Sequence, residues 1–400
     1  MKLNYFFAAS ILLIVGVSPN ISMASNSSRI SDLEARIERL EQRNKNFYLK
    51  VNIPYNIFGT IQYDKTFVTN NNDLSLQNNS KLRRARLGIK GNLSSGYSYK
   101  FEVDFADNGS TITDAYIKKT LNENTILKIG QYREPFSLDE LTSVKHVVFL
   151  ERASIIGLTP ARNIGIGYEQ HLKNFNVYTG IFGDGVGDSS TTDDETISST
   201  TRVTYYQKSS KKNALHLGVS YRYSEPTADN ISYIFKPESS IETSSSAINT
   251  GTISNANKIY QTGLEAAIVH KQFSAQAEYI NTEIDRDSDN INNVLEGYYF
   301  QFSYFLTDDM RNYKTKSSVF GRIKPTSKTG AWEIAYRYSD IEANSGSLTA
   351  GNMENNTIGI NYYASDRVKF MANYIDVNVD KNTVYSDDVE TFALRAQINF

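Results

Sequence analysis

No cysteine occurs in the 400 residues, which excludes disulfides and thiolate metal sites but leaves the compartment open. Proline is scarce at 7, and there is one tryptophan. The formal charge is -2, far from the strongly basic balance that nucleic acid favours, so no nucleic-acid partner is expected. The four histidines, His146, His171, His216 and His270, show neither metal-ligand spacing nor a nucleophile elbow nearby. No catalytic constellation and no cofactor is expected, and the chain does not read as an enzyme. After the first residues there is no run of about 18 apolar residues, so no transmembrane helix is expected.

What is present is aromatic and alternating: Tyr 27 and Phe 20. The N-terminus carries Lys2, an apolar stretch from Phe6 to Val17 and a small-x-small site at Ser22-Met23-Ala24. That pattern reads as a signal peptide over residues 1–24, hence export. Residues 25–46 form a second segment, a periplasmic coiled coil. Ile30, Leu33, Ile37 and Leu40 occupy a, d, a and d of a heptad. Ile at a with Leu at d favours a dimer by the general rule. Arg29-Ile30-x-x-Leu33-Glu34 and Arg36-Ile37-x-x-Leu40-Glu41 instead resemble the signature of trimeric coiled coils, with Arg at g reaching Glu at e of a neighbour. Two heptads are marginal alone, because helix nucleation is costly.

From about Ile57 onward the period becomes two, and residues 47–400 read as one barrel domain. In YSYKFEVDFA, Tyr97, Tyr99, Phe101, Val103 and Phe105 oppose Ser98, Lys100, Glu102 and Asp104. The same alternation recurs down to the closing Phe392–Phe400. A soluble sandwich or a membrane barrel would give this pattern. Runs of about 9–11 residues, aromatic ends and connections alternating short and long favour the barrel. Asp64–Ser80, Gly183–Thr200, Tyr223–Asn257, Thr282–Val294 and Ile341–Met353 read as long polar external loops. Thr307–Gly330 carries charges and a proline, so it reads as a long periplasmic connection rather than a strand. The expected fold is all-β: a transmembrane antiparallel barrel of about 16 strands with a short N-terminal coiled-coil helix.

The inward face of such a barrel would carry Arg84, Arg86, Lys90, Lys100, Lys118, Lys128, Arg337, Lys369 and Arg395 in a wet lumen. Leu82 falls on the same face by alternation. Arg83 falls out of phase, at the strand end beside the external loop. The third external loop, residues 133–161, is too apolar to stand in water. Folded inward it would narrow the lumen and bring Arg133, Lys145, Arg152 and Arg162 to it. Asp285, Asp287, Asp289 and Glu296 match EF-hand spacing with Asn290 for the central glycine, although strands flank them.

RRARLGIKGNL, TDAYI, IGQYREPFSLDELTS, FLERA, PARNIGIGY, FGRIKP, GAWEIAYRYSD and FALRAQINF together resemble the phosphate-selective porin O and P family, in the right order over nearly the whole mature chain. The resemblance implies a trimeric, sixteen-stranded porin of the Gram-negative outer membrane with an N-terminal helical or periplasmic extension, set in its lipid and admitting small solutes passively. It implies that Arg83 and Arg84 are paired strand arginines of a constriction that binds phosphate or polyphosphate, and Lys145 the basic residue of the third loop. The acids on the inward face make a preference for small anions the expectation, rather than a strict phosphate filter. The competing expectation is a structural or adhesive barrel whose coiled coil ties the membrane to peptidoglycan.

Overall fold

A computed structural model describes residues 23–50, 54–71, 77–106, 109–187, 195–227, 230–238, 248–287, 292–346, 348–380 and 386–400. Most of the expected signal peptide therefore lies outside the described residues. The chain divides into two units, residues 1–53 and 54–400. In the first, a single helix, α1, spans Met23–Lys50.

The second unit is a closed antiparallel barrel of sixteen strands. They are β1 (Asn56–Asn71), β2 (Asn79–Asn92), β3 (Tyr97–Asp104), β4 (Thr111–Asn122), β5 (Thr125–Arg133), β6 (Arg162–His171), β7 (Phe175–Phe182) and β8 (Ile197–Ser210). There follow β9 (Asn213–Glu225), β10 (Ala256–His270), β11 (Phe273–Arg286), β12 (Asn293–Phe305), β13 (Ala331–Ser345), β14 (Leu348–Tyr363), β15 (Val368–Asp380) and β16 (Ser386–Asn399). Each strand pairs with its neighbours in sequence, and β1 closes on β16 from Thr60↔Asn399 to Asn71↔Val389. Closure leaves no sheet edge, so every spanning amide finds a partner where lipid offers none.

The alternation is the sequence's own. Ile61, Leu87, Phe101, Ile117, Ile129 and Ile166 stand exposed on the outer wall. Aromatic pairs such as Trp332–Tyr362 (4.6 Å), near one end of β13, and Tyr298–Tyr338 (6.1 Å), at mid-strand, stand on it. Several strands are longer than a bilayer needs: β1 and β14 have 16 residues each. The expected long loops at Asp64–Ser80 and Ile341–Met353 are in large part paired strand, with Asn344↔Thr349 and Ser345↔Leu348 closing a tight turn. Polar strands can pair in water as well as in lipid, and the sequence pattern does not mark where the membrane stops.

One register shift corrects the reading of β2. Gln62 pairs with Arg84, but Tyr63 pairs with Leu82, so Arg83 is the extra residue of a β-bulge. The bulge resets the phase. Leu82 therefore faces outward with Ala85 and Leu87, and Arg83 turns inward beside Arg84.

Candidate pore constriction

The connection between β5 and β6 is folded into the lumen, as its composition demanded. Phe136, Leu138, Phe149, Leu150, Ala153, Ile155 and Leu158 are at most 2% exposed. Phe136, Leu150, Ala153, Ile155 and Leu158 join inward side chains of β11–β15, among them Ile280, Leu295, Tyr299, Ile341 and Met371, while Leu138 packs with Ala214, Ala267 and Val269 and Phe149 with Ala335. The wall makes room for them with glycine: a methyl group at Gly263 or Gly359 would meet the rings of Phe136 or Phe149 at 3.1 Å.

Polar groups fix the loop's path. The amides of Leu138 and Asp139, opening the short helix α2 (Leu138–Leu141), donate to Glu278 at 2.9 and 2.7 Å. Arg152 donates to the carbonyls of Asp139, Glu140 and Thr142 at 2.6–3.0 Å. Along the far wall, Lys369 donates to the Val147 carbonyl (2.9 Å), Asn361 to Val148 (2.9 Å) and Gln397 to Lys145 (3.1 Å). Buried Arg395 grips Asp64 (2.7 and 2.6 Å), Glu151 (2.8 Å) and the Leu150 carbonyl. Arg337 does the same for Glu238 and the Glu151 carbonyl. Charges expected in open water are therefore anchors in a packed interior. Arg202 is another, bidentate to Glu265 at 2.7 Å.

Two further segments fill this half of the barrel, and neither was expected there. The loop between β9 and β10 buries Phe235, Ile248 and Ile253 against the inward loop. The connection between β12 and β13 carries a small hairpin, Asn312–Lys314 with Val319–Gly321. It folds inside the barrel: Tyr313 meets His216 (2.7 Å), the Ser318 carbonyl takes Arg202 (2.9 Å), and Phe320 packs on Leu138. Isolated apolar residues in polar connections were the only sequence signal for either.

What stays open runs along β2–β7. A cavity of about 230 Å³ is lined by Arg86, Lys100, Glu102, Asp114, Arg133, Lys145 and Arg162, with Tyr116 and Tyr132. A second of about 300 Å³ shares Tyr116, Lys128, Tyr132 and Arg133 and adds Lys118, Glu169, Tyr178, Phe182 and Arg202. Together they present eight bases against three acids. Adding the carboxylates behind the lining (Asp104, Glu140, Glu265) still leaves the bases in excess.

The bases divide by partner. Arg83 is bidentate to Glu151 (2.9 and 3.0 Å), and Arg84 reaches the same carboxylate at 3.5 Å and Gln62 at 2.8 Å. Burial by itself would raise the Glu151 carboxyl, but Arg83, Arg84 and Arg395 hold it well below the usual carboxylate range. Arg86 pairs with Asp104 (2.7 Å), Lys118 with Glu169 (3.2 Å), Arg162 with Asp114 (3.1 Å), Lys100 with Glu102 (3.0 Å) and Asp114, and Arg133 with Glu140. Glu140 also sits 3.4 Å from Arg152. Its carboxyl is lowered despite burial, by Arg133, Arg152 and Arg162.

Among the described residues, Lys90, Lys128 and Lys145 take no carboxylate within ion-pair distance; their partners are rings. Lys128 lies 3.6 Å from the Tyr132 centroid and 4.3 Å from that of Tyr116. Lys90, Lys100 and Lys145 surround Phe58 at 5.2, 5.3 and 5.0 Å. Burial, with Lys100, Arg86 and Lys90 nearby, brings the Lys145 ammonium down to about 8 against the opposing pull of Glu102. Phe58, Tyr116 and Tyr132 were missed by the sequence reading because they sit on inward faces, where alternation marks polar residues.

The EF-hand spacing does not assemble in the described part of its loop. Asp287 accepts from Asn257 (2.6 Å), Glu296 accepts from Tyr279 (2.5 Å), and Asp285 pairs in register with Lys258. Asp289 lies outside the described residues. Among the described residues no three such side chains converge to hold a metal ion.

The family model described as phosphate-selective porin O and P matches residues 56–400, the whole barrel. The chain belongs to that family. Porin O of Pseudomonas aeruginosa is 26% identical over 356 residues, covering 80% of this chain and 81% of that protein. An anion-selective porin from Comamonas acidovorans shares the fold at a TM-score of 0.55 and 14% identity, over 86% of this chain and 99% of that one. OmpT of Vibrio cholerae in its trimer form does so at 0.55 and 13%, over 86% and 99%. The protein is a porin of the outer membrane. Helix α1 lies outside the region this porin shares with its family.

Proposed function

We propose that the porin admits small anions, phosphate or polyphosphate among them, by passive diffusion between the inward loop and the wall β2–β7. The observation that carries this is the excess of bases lining the open half, with Lys128 and Lys145 taking no carboxylate within ion-pair distance among the described residues. In a narrow passage a fixed cation acts on a passing ion at short range, where charge counts most. The acids interleaved with the bases, Glu102, Asp114 and Glu169, pair with Lys100, Arg162 and Lys118 and offset part of their charge. They suit brief, repeated contacts better than one tight site, as conduction requires.

Arg83, Arg84 and Arg152 contribute by holding the loop: their charge is directed at Glu151 and at loop carbonyls. Export through a signal at residues 1–24 and assembly as a homotrimer in outer-membrane lipid complete the reading. The similarity to a trimer-form porin supports the trimer. The test is the zero-current potential of purified porin in a planar bilayer under a KCl gradient, with phosphate then added to look for block of the chloride current. Chloride over potassium is expected; potassium over chloride overturns the proposal.

A further inference from the structure

Helix α1 lies outside residues 56–400, the region matched to the family. It is 28 residues long, four heptads, and so about 42 Å of helix. On it Ile30, Leu33, Ile37 and Leu40 form one stripe, and each is 54–62% exposed in the single chain. Apolar side chains of this size gain by leaving water, so a bare stripe of four marks an absent partner. The flanking charges say what that partner is. Arg29 and Arg36 stand at g, Glu34 and Glu41 at the following e positions. In a parallel bundle of identical helices, each g residue meets the e residue five places on in its neighbour. Arg29 then faces Glu34 of the next copy, and Arg36 faces Glu41, twice over and with the right signs.

We propose that α1 docks on two further copies of itself, forming a parallel three-stranded coiled coil that clasps the porin trimer separately from the barrel walls. The stripe and the charge pairs fit a second copy better than a polysaccharide, which would offer neither apolar side chains nor an alternating charge pattern. The proposal does not depend on ion selectivity, so the bilayer measurement and the one below fail independently.

The chain lacks cysteine, so single cysteines in full-length porin report on proximity without background. Under mild oxidation, Ile37→Cys, on the stripe, should give an interchain disulfide, whereas Ala35→Cys, on the opposite side of the helix, should not. Arg36→Glu should lower the temperature at which the porin dissociates to monomers in detergent, and adding Glu41→Arg should restore it. No disulfide at Ile37→Cys, equal yields at both positions, or no recovery in the charge exchange would each overturn the proposal. So would a trimer indifferent to Ile37→Asp whose sedimentation with peptidoglycan that substitution abolishes: the stripe would then serve the cell wall.

Discussion

Lys145→Gln tests the electrostatics of the passage most directly. Lys145 is delivered by the inward loop, lines the open cavity, and has no carboxylate of its own among the described residues. An anion about 5 Å from its ammonium gains about 0.8 kcal/mol at a dielectric near 80 and about 3 kcal/mol near 20. The lower figure suits a cavity filled with water. The same charge repels a cation equally, so its removal shifts the anion-to-cation ratio by about 1.6 kcal/mol, roughly fifteenfold. The assay is the zero-current potential under a KCl gradient, measured across pH. In the parent, Lys145 discharges around its depressed value of about 8, so anion preference should fall between about pH 7 and pH 9. In the variant that portion of the profile should be flat. Stability follows the opposite sign. The folded state releases this proton near 8 and the unfolded chain near 10.5, so the parent gains stability as pH rises between them. The variant, lacking the buried charge, should not lose stability at neutral pH. A variant with the parent's selectivity and the parent's pH profile would refute the placement of Lys145 on the ion path.

Arg395→Ala leaves Asp64 buried without its partner, frees the Leu150 carbonyl and takes one of three arginines from Glu151, so it should cost about 3–5 kcal/mol and loosen the inward loop. Single-channel recordings should show larger, noisier conductance, and thermal unfolding should move down. Phe320→Ala should cost about 3 kcal/mol by emptying the contact between the inner hairpin and Leu138, read as lower thermal stability with raised conductance. Gly130 has φ +125 and would place a methyl group 2.2 Å from the Ala115 carbonyl, so Gly130→Ala should reduce the yield of folded, heat-modifiable barrel on gels.

The division between what was legible and what was not follows from the range of each interaction. Strand alternation depends on which of two media a side chain meets, a local property written residue by residue. It therefore yielded about sixteen strands and the inward bases, while apolar composition marked the burial of the loop carrying Phe136, Phe149 and Ile155. The bulge at Arg83 escaped because one inserted residue leaves no trace in composition yet reverses the phase beyond it. Strand ends escaped because polar strands pair in water as well as in lipid.

The sequence by itself determined the class of wall, the sign of its inner face and the heptad stripe of α1, since each rests on a periodicity. Only the tertiary structure decided which cations remain available to an ion. Arg337, Lys369 and Arg395 share the inward alternation of Lys100 and Lys128, but loops from distant parts of the chain close over the first group and leave the second beside open space. That choice is made by side chains about 250 residues away, as with Arg395 and Glu151 at |i−j| = 244, and no local pattern can carry it.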